Sequence, residues 1–254
     1  MYSDVNRVDA LVLLRIARLG DFCSDIPMFQ EITTTSSVRG SRELWLSAAY
    51  DNLIRYGVDA VRIMPLAKKL KLSRTSFYWF FKDREELLAT MIDLWREKNT
   101  GNFIKQTEAY AESLVEGLLN VFDCWLNPDL FDSQFEFAVR SWALQSIDVA
   151  EEVTKADDIR LKALRNMFVR YGYRSLTADV RARVNYLAQI GYISMNIREN
   201  IAVRMQRIPE YVEILTGKSP RQQELDRFYA RNGYSPDRLN ILTSQNIARR
   251  RLRV

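Results

Sequence analysis

The residues best suited to chemistry lie in one short stretch between Ser73 and Phe81. A rotation of about 100° per residue divides a helix over this stretch into two faces. One face carries Arg74, Thr75, Tyr78 and Trp79, and the other carries Phe77, Phe80 and Phe81. The first set, called the Arg74 face below, combines a guanidinium, hydroxyls and flat aromatic rings, which suits contact with a polyanion such as nucleic acid.

Burial is the alternative explanation for each aromatic residue of this stretch. We assign Phe77 and Phe81 to a core and leave Phe80 open. Burial explains Tyr78 and Trp79 poorly, because they accompany an arginine on the side opposite the phenylalanines. We therefore expect the Arg74 face to be exposed.

Catalytic and metal-binding chemistry has little support in the sequence. Histidine is absent, which removes the Ser–His and Cys–His pairs and the most common metal ligand. Neighbouring carboxylates such as Glu151 and Glu152 point in different directions on a helix and do not form an acid–base pair. We predict no catalytic residue, no metal site, no cofactor and no enzymatic activity. A helical enzyme acting on small molecules, which would need convergent carboxylates or lysines, stays the less favoured alternative.

The two cysteines and the apolar segments indicate the cellular setting. Cys23 and Cys124 cannot build a disulfide framework, and we interpret both as reduced. The apolar run over residues 10–14 is too short to span a membrane, and Arg15 and Arg18 follow it. We expect a cytoplasmic protein without a membrane partner.

The composition favours an all-α fold. Nine glycines and six prolines in 254 residues leave long stretches without a turn signal, unlike the closely spaced turns of an all-β chain. A hydrophobic content of 47% allows a sizeable core. The predicted fold class is therefore all-α.

Positive charge is concentrated in two segments of the chain. Residues 41–84 hold nine basic and four acidic residues, a local charge of +5, and the segment from Lys218 onward carries +6. Since the net charge is +5, the rest of the chain sums to −6. A basic segment set against an acidic body is typical of a small module that binds a polyanion, although scattered surface lysines would give the same balance.

Capping residues and apolar spacing predict four helices that position the Arg74 face. The helices run from the Ser41 cap to Gly57, from about Met64 to Leu70 with Pro65 in the first turn, from Arg74 to Phe81 after the Ser73 cap, and from Asp83 to about Lys98. Two short helices joined by a tight turn are the helix-turn-helix layout, in which the second helix lies in the major groove.

The run from Val61 to Leu88 resembles the DNA-binding signature of the TetR family. The likeness is strongest in Leu-Ser-Arg-Thr-Ser-Phe-Tyr-Trp-Phe-Phe. The charged residues Lys-Asp-Arg-Glu follow this run, and then Glu-Leu-Leu. The resemblance implies that double-stranded DNA is approached by Arg62, Ser73, Arg74, Thr75, Tyr78 and Trp79, with Lys82 and Arg84 holding phosphates. The family usually has glycine where this chain has Lys71, so Lys71 either strains its backbone or widens the turn.

The resemblance also implies a domain order, in which a three-helix helix-turn-helix domain near the N-terminus is followed by a helical bundle. We predict an N-terminal extension over residues 1–40, a TetR-type helix-turn-helix domain over 41–88, a helical effector-binding and dimerisation domain over 89–217, and a C-terminal helix with a basic tail over 218–254. Within the second domain, the run from Arg140 to Ala143 is similar to one branch of the family's effector domains.

The predicted function is a ligand-responsive transcriptional repressor. A homodimer would bind a palindromic operator and would be released by a small-molecule effector bound between helices. Candidate pocket walls are Phe122, Trp125, Phe137, Trp142 and Phe168. Candidate dimer contacts are Tyr186, Ile190, Ile193, Ile197, Tyr211 and Ile214. The alternative is an architectural or partner-recruiting DNA-binding protein without an effector pocket.

Overall fold

The computed structural model describes residues 40–235, which contain helices and no strand. The predicted all-α fold class is therefore confirmed. The N-terminal extension, Cys23 and the arginine-rich tail fall in residues 1–39 and 236–254 and lie outside the described residues. Between residues 40 and 235, no helix is both long and apolar enough to cross a membrane.

The helices follow the predicted order along the chain. They are α1 (Arg42–Tyr56), α2 (Ile63–Leu70), α3 (Arg74–Phe77), α4 (Arg84–Trp95), α5 (Asn102–Glu108), α6 (Leu114–Leu126), α7 (Ser133–Ala143), α8 (Ile147–Arg170), α9 (Ser175–Ser194), α10 (Ile201–Thr216) and α11 (Gln222–Arg231). A 3-10 turn (Val58–Ala60) follows α1, and a π-helical segment (Arg96–Gly101) joins α4 to α5.

The described chain forms two compact units that interleave along the sequence. The first unit contains residues 40–102 and Pro128–Asp158, and the second contains Phe103–Asn127 and residues 159–235. The helix-turn-helix helices thus share a unit with α7 and the first half of α8. The helix α8 passes from one unit to the other after Asp158.

Local capping explains where the first helices begin and end. The Ser41 hydroxyl accepts a hydrogen bond from the Leu44 amide at 3.2 Å, and α1 ends at Gly57, whose φ of 79° is readily adopted only by glycine. Before α4, the Asp83 carboxylate accepts from the Glu86 amide at 2.9 Å. The caps predicted at these three positions are confirmed.

Aromatic packing holds α3 in the first unit. Phe77 lies edge to face against Trp45, with ring centroids 5.2 Å apart, and stacks on Phe81 at 5.4 Å. Phe77 and Phe81 are buried, as predicted, and Phe80 is partly buried at the edge of the same core. Because the phenylalanine face is fixed inward, the opposite face of α3 is directed outward.

A buried polar network fixes α7 within the first unit. The Glu136 carboxylate in α7 is fully buried and accepts hydrogen bonds from the Trp95 indole at 2.7 Å and the Asn99 amide at 2.9 Å. From α1, the Tyr50 hydroxyl donates to Asp132 at 2.6 Å. Burial, followed by the Asp132 charge, raises the pKa of Tyr50, so this hydroxyl stays protonated and remains a donor. Directional bonds therefore join α7 to α1 and to the end of α4.

The second unit is built from α5, α6, α9, α10, α11 and the second half of α8. Its terminal helix α11 is tied to α6 by Arg231, whose guanidinium lies 2.8 Å from Asp123. Cys124 of α6 is free and buried, and burial raises the pKa of its thiol. The thiol therefore stays protonated and packs as a small apolar side chain.

Candidate nucleic-acid interface

The turn between α2 and α3 is tight, and Lys71 lies at its centre. Lys71 adopts the left-handed conformation, with φ 54° and ψ 37°, while the next amide, Leu72, donates to the Ala67 carbonyl at 3.0 Å. Of the two alternatives, the strained backbone is therefore the one adopted. For a residue with a Cβ this conformation costs on the order of 1 kcal/mol. The Lys71 side chain is exposed, two residues before the Ser73 cap of α3.

The recognition helix is shorter than the sequence predicts. Ser73 caps it by accepting from the Ser76 amide at 3.2 Å, and α3 ends at Phe77 instead of Phe81. Helical turns nevertheless continue, because the Tyr78 amide donates to the Thr75 carbonyl at 3.2 Å and the Phe81 amide to the Phe77 carbonyl at 3.1 Å. The two predicted faces therefore extend beyond the end of the regular helix.

The Arg74 face is exposed, as predicted. Tyr78 is 44% exposed and Trp79 is 66% exposed, which are high values for large aromatic side chains. The other exposed members of the predicted DNA-binding set are Arg62, Ser73, Arg74, Thr75 and Lys82. Lys68 and Lys71, which were not predicted as contacts, are also exposed in this segment.

The guanidinium of Arg74 is held by Tyr78. Its Nη2 donates to the Tyr78 hydroxyl at 2.9 Å, and its central carbon lies 5.7 Å from the Tyr78 ring centroid. This arrangement restricts the arginine side chain before DNA binds, which reduces the entropy lost on binding. The hydrogens of Nη1 remain available for the acceptor edge of a base.

Arg84 is placed differently from the other predicted contacts. Its Nε donates to the Val61 carbonyl at 2.6 Å, and its Nη2 donates to the Val58 carbonyl at 3.0 Å. The side chain is half-buried and links the start of α4 to the 3-10 turn. This geometry favours a positioning role for Arg84 over direct phosphate contact.

These features define a helix-turn-helix DNA-binding protein. Residues 46–91, from α1 into α4, match the family model of bacterial regulatory proteins of the tetR family. The match includes the whole Arg74 face, so the resemblance is confirmed for this segment: residues 46–91 form a TetR-type DNA-binding domain, which supports a DNA-binding transcriptional regulator. Neither a curated protein nor a solved structure matches the chain significantly.

A cavity of about 230 Å³ lies in the second unit, between α6, α9 and α10. Two predicted pocket walls, Phe122 and Trp125, line it. Phe168 is buried in the same unit but is not among the lining residues, and Phe137 and Trp142 belong to α7 of the first unit. Phe137 is also exposed. Only two of the five predicted walls are therefore brought together at this cavity.

The residues predicted for dimerisation do not share one surface. Tyr186 and Ile193 are buried within the second unit, where Tyr186 accepts a hydrogen bond from Arg160 at 2.9 Å. Ile190 is half-buried and Ile197 is exposed, while Tyr211 and Ile214 line the cavity and are also exposed. A different set of apolar residues is exposed along α9, at spacings of four, four and three: Leu176, Val180, Val184 and Leu187. Val184 of this set also lines the cavity. These four residues are called the α9 stripe below.

Within residues 40–235, no group of three or more His, Cys, Asp or Glu side chains is arranged so that it could hold a metal ion.

Proposed function

We propose that this DNA-binding regulator is a ligand-responsive repressor that acts as a homodimer on a palindromic operator. The observation that carries the sensing role is the cavity of the second unit. It is lined by aliphatic and aromatic side chains with a few polar groups, which is the usual composition of a small-molecule site. A filled core would have favoured the architectural alternative, in which DNA binding needs no effector.

Contact with DNA is proposed for the exposed residues of the helix-turn-helix segment. Arg74, with Tyr78 and Trp79 beside it, is proposed to read base edges in the major groove. The residues proposed to position the segment on the backbone are Arg62, Lys68, Lys71, Ser73, Thr75 and Lys82. Arg84 would support them by holding the start of α4.

The α9 stripe is the surface that we propose for the second copy of the chain. Its members are exposed and lie on one side of α9, where a matching stripe of another copy would remove them from water. A single recognition helix reads few base pairs, and a dimer on a palindrome doubles the number read.

Replacing Leu187 by glutamate tests this assignment. Leu187 is exposed in the single chain, so the substitution should leave each copy folded but place a carboxylate in the interface. We expect sedimentation velocity to show a shift from dimer to monomer, and affinity for a palindromic duplex to fall. Leu144→Glu is the control, because Leu144 is 88% exposed and belongs to the first unit. A Leu187→Glu protein that stays as dimeric as the control would contradict the interface.

Release by an effector follows from differential affinity. A ligand that binds better to the conformation with lower DNA affinity shifts the population away from the operator. The test begins by selecting an operator from random duplexes and by screening compounds for a raised melting temperature. Compounds that bind are then tested by fluorescence anisotropy on that operator. Operator affinity that none of them changes would reject the sensing role.

A further inference from the structure

The cavity of the second unit has a polar side that its apolar walls do not explain. Asn185, Gln189 and Tyr192 are spaced at i, i+4 and i+7 on α9, and all three line the cavity. From α10, Arg204 and Tyr211 line it as well. Polar groups that lie among apolar side chains normally have hydrogen-bonding partners. The hydroxyls of Tyr192 and Tyr211 are 3.1 Å apart and bond to each other, which leaves Asn185, Gln189 and Arg204 to be accounted for.

Arg204 supplies positive charge to this polar side. Among the described residues that line the cavity, it alone is charged. Its Nη2 donates to the Gln189 side-chain oxygen at 2.9 Å, and its guanidinium carbon lies 5.4 Å from the Tyr192 ring centroid. The carboxylate of Glu199 is close enough to raise the pKa of Arg204, but it forms its ion pair with Arg207.

Burial lowers the pKa of Arg204, while Tyr192 and Glu199 act in the opposite direction. The ordinary pKa of arginine is so high that the guanidinium stays charged at neutral pH. The Arg204 guanidinium is therefore charged, and it has no ion-pair partner among the described residues.

Asn185 supplies a hydrogen-bond donor that is not used within the chain. The residue is only 4% exposed, and its Nδ2 has no hydrogen-bond partner among the described residues. A buried amide donor without an acceptor destabilises the protein, and a ligand that provides the acceptor removes this cost. One oxyanion could satisfy both Asn185 and Arg204.

The remaining walls indicate the apolar part of such a ligand. Phe122, Trp125, Tyr192 and Tyr211 are aromatic and line the cavity, and aromatic rings pack well against one another. A cavity of 150 Å³ can hold benzene, so the present volume of about 230 Å³ has room for roughly ten non-hydrogen atoms.

Building on the proposed sensing function, we propose that the effector is a small aromatic monocarboxylate. Its carboxylate accepts hydrogen bonds from Arg204 and Asn185, and its ring packs against Phe122 and Trp125. The charge and the ring are thus recognised by different walls of the same cavity.

Three probes of similar size separate the contributions of charge and shape. We would measure binding of 3-phenylpropionate, 3-phenylpropanamide and 3-phenylpropylamine to the protein of 254 residues by calorimetry. We expect the acid to bind at least about 10-fold more tightly than the neutral amide, because charge-assisted hydrogen bonds are the stronger ones. The amine should bind most weakly.

Two substitutions test the named residues, and a third serves as the control. Arg204→Gln should abolish the preference for the acid over the amide. Asn185→Asp should weaken binding of the acid and not of the amine, because it places a carboxylate in the wall of the same cavity. Arg183→Gln changes an exposed arginine of α9 that does not line the cavity, so it should keep the preference. Equal binding of acid and amide to the wild-type protein, or a preference that survives Arg204→Gln, would overturn the proposal.

Operator binding, measured with the same probes, separates this proposal from the function on which it rests. Arg204-dependent binding of the acid without any change in operator affinity would support the ligand class and reject the sensing role. Release from the operator by a neutral compound, unaffected by Arg204→Gln, would support the sensing role and reject the carboxylate.

Discussion

Replacing Arg74 by alanine is expected to lower operator affinity by about 10- to 100-fold, the range of a lost bidentate contact to a base. Arg74 is exposed, and Tyr78 holds its guanidinium in place before DNA binds. The substitution removes both the donors and this restriction. Fluorescence anisotropy on the selected operator, at one fixed salt concentration, measures the effect.

Two further variants separate base recognition from charge. Arg74→Lys keeps the positive charge but loses the forked donors, so we expect it to retain non-specific binding and to lose discrimination between sequences. Lys162→Ala removes an exposed positive charge of the second unit, away from the α9 stripe, and should bind like the wild type. If Arg74→Ala also binds like the wild type, the Arg74 face does not read DNA.

Replacing Glu136 by alanine is expected to reduce the free energy of unfolding by about 3 kcal/mol, the lower end of the range for breaking a buried ion pair. The substitution removes the acceptor of Trp95 and Asn99 and a partner of Arg140. The effect stays at the lower end because Arg140 keeps its ion pair with Asp157. Urea unfolding, followed by circular dichroism, measures the shift in midpoint.

Two controls accompany this prediction: a milder substitution of Glu136 itself, and the loss of a carboxylate at an exposed position. Glu136→Gln keeps the shape and one acceptor oxygen, so its loss should be smaller than that of Glu136→Ala. Glu85→Ala removes a carboxylate that is 74% exposed and should change stability little. A Glu136→Ala protein as stable as Glu85→Ala would show that the polar network adds nothing to the stability of the first unit.

The starts of the first four helices could be predicted because their signals are local. A serine or aspartate cap, a proline in a first turn and a glycine stop each act within a few residues, and the structure has them at Ser41, Pro65, Ser73, Asp83 and Gly57. The alternation that separated Phe77 from Tyr78 is also local. The placement of Arg84 is not, since it depends on the carbonyl groups of Val58 and Val61, which lie more than twenty residues earlier in the chain.

The orientation of α9 shows why periodicity alone could not identify which of its apolar faces is exposed. The spacing of Tyr186, Ile190, Ile193 and Ile197 suits one apolar face, and the spacing of Leu176, Val180, Val184 and Leu187 suits another. Periodicity identifies both faces, but only packing decides which of them is buried. In the structure, Tyr186 and Ile193 face inward and the α9 stripe faces outward.

Periodicity also identifies only part of the cavity wall. It predicts aromatic residues of the helical region as walls, and Phe122 and Trp125 do line the cavity. Its polar residues Asn185, Gln189 and Arg204 were missed, because a polar residue on a helix usually indicates a solvent-facing side. No signal in a single sequence separates such a residue from one enclosed by neighbouring helices.

The left-handed backbone at Lys71 has a consequence for how this regulator tolerates heat and salt. Glycine would relieve the strain at this turn, yet it would also remove an ammonium group that we propose lies close to the phosphates. At position 71, glycine would therefore favour thermal stability, and lysine would favour affinity for DNA. A chain selected for life at higher temperature and one selected for tighter DNA binding would favour different amino acids there.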